Sequence, residues 1–152
     1  MGSFAGRKLV SLISVAIVAA MTLSACHKKE DRVKLVDMVE AEPIKADSVV
    51  GHWRESGGGQ DIYFSALDGS GSGDITFVDE RGPFLHKYTI VSNGDDGRSL
   101  RIQTVSTKNG YTSTDTFAVG KHGKILYRDD EIGTAAGPIV MEYVYEDDKT
   151  HP

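Results

Sequence analysis

The chain has 152 residues, and removal of a 25-residue export signal leaves at most 127, enough for one domain and too few for a multidomain enzyme. Arg7 and Lys8 fall in that signal, so the remainder sets 15 Lys+Arg against 22 Asp+Glu, a formal charge of −7, whereas nucleic-acid binding needs a basic face. Seventeen Gly and four Pro suit short strands joined by tight turns better than a helical bundle.

The N-terminus has the three-part layout of a secretory signal: Arg7-Lys8, the apolar run Leu9 to Leu23, then small residues. That run is shorter than the roughly 20 residues a spanning helix needs, so it reads as removed. Its end, Leu23-Ser24-Ala25-Cys26, resembles the lipobox of bacterial lipoproteins. The resemblance implies cleavage before Cys26 and acylation of its thiol with palmitate-like chains. Several acyl chains give a durable anchor where one does not. Cys26 is the sole cysteine, so no disulfide can form within one copy. In lipoproteins of Gram-negative bacteria an Asp after the Cys commonly retains the protein at the inner membrane, and this chain has His27. The resemblance therefore implies an outer-membrane anchor facing the periplasm, in the cell envelope.

Residues 26–47 are expected to be the lipidated cysteine and a charged tether, with 5 Lys+Arg and 6 Asp+Glu over 27–47 and no Gly or aromatic residue. Val33, Val36 and Val39, with Leu35 and Met38 beside them, suggest one short amphipathic helix ending before Pro43 in an otherwise partly ordered linker.

From Ser48 to Pro152, turn-forming clusters recur: Gly57-Gly58-Gly59, Asp68 to Gly73, Arg81-Gly82-Pro83, Asn93 to Gly97, Lys108-Asn109-Gly110, Gly120 to Gly123 and Gly133 to Pro138. Seven turns delimit eight segments, most of which alternate apolar and polar residues, among them Ile62 and Phe64, Leu100 and Ile102, Phe117 and Val119, Ile125 and Tyr127, and Met141, Tyr143 and Tyr145. The expected fold is all-β, an antiparallel eight-stranded meander that removes its edges by closing into a small barrel. A β-sandwich is the alternative, because a meander pattern cannot say whether the first and last strands pair.

Gly51-His52-Trp53 opens the first strand and is similar to the Gly-x-Trp signature of the lipocalins, in which the Trp closes the barrel floor. The chain departs from that family in having no Arg in the last strand, Ile139 to Glu146, and no helix before Pro152. The resemblance implies a lipocalin-like architecture. An eight-stranded interior is filled by side chains or holds one small ligand, so Trp53 and Tyr143 are the candidate ligand-binding residues.

Asp68, Ser70, Ser72 and Asp74 place oxygens at alternate positions, as a calcium loop does, but without a Glu twelve positions on. A Gly/Ser hairpin loop is the expected reading. His27, His52, His86, His122 and His151 have no metal-ligand spacing, so no metal or other cofactor is expected. No Gly-x-Ser-x-Gly elbow leads from a strand into a helix, and no enzymatic activity is expected. Asp129, Asp130 and Glu131, with Asp95-Asp96 and Glu146-Asp147-Asp148, read as solvated acidic turns, the first trio being the candidate surface for a basic protein partner. The expected function is a non-enzymatic envelope lipoprotein that binds a small apolar molecule or supports envelope structure. The alternative is an inhibitor or immunity protein that blocks a secreted enzyme or toxin through its loops.

Overall fold

Alternating side chains are laid out as eight antiparallel strands in the computed structural model, which describes residues 33–94, 97–130 and 139–152, and of Asp130 the backbone alone. The signal, Cys26 and Glu131 lie outside the described residues. The strands are Gly51–Glu55 (β1), Asp61–Phe64 (β2), Ser72–Asp79 (β3), Gly82–Asn93 (β4), Leu100–Ser106 (β5), Thr112–Gly120 (β6), Ile125–Asp130 (β7) and Val140–Asp147 (β8). Each pairs with the next, and β8 pairs back to β1 through Trp53↔Tyr145 and Glu55↔Tyr143. The expected barrel is therefore closed. Closure leaves no strand edge to be covered.

Period two sends one row of each strand inward. Trp53, Ile62, Phe64, Ile75, Phe117 and Tyr143 are fully buried in one core. Phe64 meets Tyr88 and Phe117 edge to face, at 5.3 and 5.5 Å between ring centroids, the geometry that ring quadrupoles favour. The Tyr88 hydroxyl donates to the Ser65 carbonyl at 2.7 Å, so the one polar atom of this side chain is satisfied.

One strand differs from expectation. In β7 the apolar pair Ile125 and Tyr127 faces outward, and Leu126 and Arg128 occupy the inward row beside Val119 and Phe117. Both rows are shielded because an additional layer covers this outer face. That layer is the short helix α1, Leu35–Met38, whose Leu35 and Val36 bury against Ala118, Ile125 and Tyr127. Leu35 is only 2% exposed.

The tether expected up to residue 47 is thus part of the folded body from Leu35 onward. Beyond α1 the Glu42 amide donates to the Val119 carbonyl at 2.7 Å, and the Ile44 amide to Gly97 at 2.9 Å. The strap passes so close that a Cβ on Gly120 would lie 2.5 Å from the Glu40 carbonyl oxygen. It also steadies the β6–β7 turn, where Lys121 and His122 both adopt positive φ, uncommon for residues with a Cβ. The His122 amide donates to Glu42 Oε1 at 2.9 Å. A 3₁₀ turn at Ala46–Val49 then leads into β1, and the Trp53 indole donates to the Val49 carbonyl at 2.7 Å. Among the described residues no helix is long and apolar enough to cross a membrane.

Leu35→Ala should lower unfolding stability by about 2–3 kcal/mol, the usual cost of emptying a buried leucine site. Urea denaturation of the mature chain checks this, since a free tether would give no change. A second expectation concerns pH. Burial pushes the Tyr88 phenol up to about 12, so the folded state holds this proton more tightly than the unfolded one. The stability it contributes is intact below the ordinary phenol value of about 10 and is lost as pH rises from there through 12. Tyr88→Phe should cost about 1 kcal/mol at neutral pH and flatten the alkaline loss, as read by denaturation at stepped pH.

Candidate functional site

The two ends of the barrel are built differently. At the floor, where the β2–β3, β4–β5 and β6–β7 turns lie, the strap places Ile44 and Val49 in the core with Trp53. Trp53 is also packed edge to face on Tyr145 at 5.2 Å. This end is apolar and shut.

The mouth, ringed by the β1–β2, β3–β4, β5–β6 and β7–β8 connections, holds charge instead. Inward from β7, Arg128 reaches Asp115 of β6, with Nη2 donating to Oδ2 at 3.2 Å, and Asp115 is almost wholly buried. Its Nη1 donates to Gln60 Oε1 at 3.2 Å. The guanidinium carbon stands 4.9 Å from the centre of the Phe77 ring, a cation–π distance. The Tyr143 hydroxyl donates to the same Gln60 oxygen at 3.0 Å, and burial, partly offset by Arg128, raises its phenol above the ordinary value. Thr104 and Ser113 share a hydroxyl–hydroxyl bond at 2.9 Å on the adjoining strands. Arg128 Nε is buried with no hydrogen-bond partner. These groups chiefly satisfy one another, and Asp115 neutralises the cation where the barrel would otherwise bury it alone.

Beside the mouth, on β4 and the β5–β6 hairpin, apolar side chains point to solvent. Phe84 is exposed on the row of β4 that faces Phe77, whereas Leu85, on the opposite row, is exposed beside Val105 and Tyr111, the last at 61%. These three are neighbours: Thr107 donates its amide to the Leu85 carbonyl at 3.1 Å, and Ser106 donates to the Tyr111 carbonyl at 2.8 Å. Lys87 pairs across the ladder with Val105. Arg81 lies over the Phe84 ring at 5.4 Å, itself held by Asp79 at 2.6 Å.

The residues singled out in the sequence are dispersed. Trp53 is a floor plug and Tyr143 a buried wall residue whose hydroxyl faces the mouth network. Asp129 corrects the acidic-surface expectation, because it lies within β7 and is 5% exposed. Asp129 and Asp130 both belong to strand β7 and do not form a turn. Asp68 accepts from the Ser70 amide at 2.8 Å, the Ser70 hydroxyl at 2.6 Å and the Ser72 amide at 3.1 Å. Those bonds, the Ser70 hydroxyl first, hold its carboxyl below the usual range. The carboxylate organises the hairpin loop, as the Gly/Ser reading expects. Among the described residues no group of three His, Cys, Asp or Glu side chains is placed to hold a metal. His52 is on the outer face but buried, stacked on Tyr63 at 4.2 Å, with Asp61 at 3.4 Å and Asp147 at 3.5 Å.

Arg128 and Asp115 were not singled out by their spacing. The signal was present: Asp115 continues the inward row of Phe117 and Val119, and Arg128 that of Leu126. No protein-family model, curated protein or solved structure matches the chain.

Arg128→Met should destabilise the barrel by about 3–5 kcal/mol, because it leaves Asp115 buried without its cation. Combining it with Asp115→Leu should cost less than the sum of the two single changes. A double-mutant cycle by urea denaturation reads that coupling, and additivity within error would show that the pair does not interact.

Proposed function

We propose that the chain is a lipid-anchored, non-enzymatic module of a bacterial envelope, tethered through acyl chains on Cys26 at the periplasmic face of the outer membrane, which acts by binding a protein partner. The anchor rests on the signal layout and on Leu23-Ser24-Ala25-Cys26. One observation carries the binding mode: large side chains and the Arg128–Asp115 pair occupy the barrel's interior, while Leu85, Val105 and Tyr111 lie together in solvent. A small apolar ligand carried inside would have to displace Phe64, Phe117 or Tyr143 from a close-packed core. Contiguous exposed apolar side chains on a small domain instead mark an interaction surface. The partner would meet this surface through apolar contact flanked by Arg81 and Lys87, in place of a basic partner drawn to Asp129, Asp130 and Glu131. The inhibitor or immunity role is one form of this activity.

A photo-crosslinking amino acid at position 85 or 111 of the full chain, expressed in a bacterial envelope, tests the assignment. It should give a discrete protein adduct, whereas the exposed floor position Lys121 should give none. Native mass spectrometry of the gently released protein should find an empty barrel. A retained small molecule, or adducts of equal yield from all three positions, would overturn the proposal in favour of a carrier or of non-specific contact.

A further inference from the structure

Resting on the lipid anchor proposed above, we infer that the barrel has a fixed membrane side: the face formed by α1 and the outer row of β8 lies against the bilayer that holds Cys26. The constraint is chain length. Leu35 is locked onto β6–β7 by burial against Ala118, Ile125 and Tyr127, and Cys26 precedes it by nine residues. Fully extended, that segment spans at most about 30 Å. A domain of this size has a radius of gyration near 13.5 Å, hence a diameter of about 35 Å. The tether is too short to reach round the barrel and bring the β2–β4 side to the membrane.

The face that the tether does bring down carries apolar side chains beside the acids Glu142 and Glu146 of the outer row of β8. Met38, on α1, is 52% exposed although Leu35 and Val36 of the same turn are buried. Val33 is exposed just before the helix, and Val144 is exposed on β8 directly across the ladder from Ile125, which packs beneath α1. Apolar side chains at this depth sit in the headgroup region without spanning the bilayer. β4 stands opposite β8 in an eight-membered ring, so Leu85 on its outer row is turned toward the aqueous space, where a partner can reach it.

The test uses the full chain, processed in a bacterium and reconstituted in vesicles of phosphatidylethanolamine and phosphatidylglycerol. Single nitroxide labels are placed by Met38→Cys, Val144→Cys and Leu85→Cys, while acylation blocks Cys26 from labelling. Paramagnetic relaxation by oxygen and by a water-soluble nickel chelate then reports depth. The labels at 38 and 144 should be several-fold more accessible to oxygen than to nickel, and the label at 85 the reverse. If the N-terminal peptide is acylated but 38 and 144 are as aqueous as 85, the membrane side assigned to the barrel is wrong while the anchor stands. If the peptide carries no acyl chains, the anchor fails, and the membrane face fails with it.

Discussion

Closing an eight-stranded sheet on itself satisfies every strand edge but opens two ends, and the way each end is filled determines the rest of this molecule. At the floor the fill is supplied by chain that precedes the first strand. Val49 accepts the Trp53 indole proton and lies with Ile44 in the core, so the barrel cannot be completed by residues 51–147 alone. At the mouth the fill is ionic, with Arg128 and Asp115 neutralising each other among Gln60, Tyr143 and Phe77. A buried pair of this kind adds little net stability compared with an apolar filling, yet breaking it is costly. It also makes the mouth end polar where the floor is greasy, so the two ends of the barrel are chemically distinct.

The floor filling has a second consequence. To reach Val49 the chain must cross the outer face of β6 and β7, and that face has become a small second core under Leu35 and Val36. The outward row of β7 is therefore apolar at Ile125 and Tyr127, and the barrel wall is two layers thick on this side. The same passage braces the β6–β7 turn, whose Lys121 and His122 would be poorly placed without the Glu42 carboxylate. A segment that looks like spacer in composition is in fact structural from Leu35 on.

These two fillings together shape the functional proposal. With the axis occupied and the strap laid along one side, the surface left for recognition is the opposite wall and the mouth rim, where Leu85, Val105 and Tyr111 are exposed. The proposed anchor and the proposed recognition surface then lie on different sides of one rigid body.

Read alone, the sequence determined the strand number, the meander order and the position of nearly every described turn, because these depend on local chemistry: period-two apolarity and the positive φ that Gly tolerates. It also marked the candidate anchor at Cys26 and the floor position of Trp53. Tertiary structure decided the rest. That β8 returns to β1 depends on the twist and stagger of the whole sheet. Which row of β7 faces inward depends on Leu35, ninety residues before Ile125. The burial of Asp129 and the meeting of Arg128 with Asp115 depend on strand register, where a shift of one residue exchanges inside for outside. Charge and hydropathy are properties of single residues and can be read along the chain, whereas partnership and burial are properties of pairs that only the closed barrel brings together.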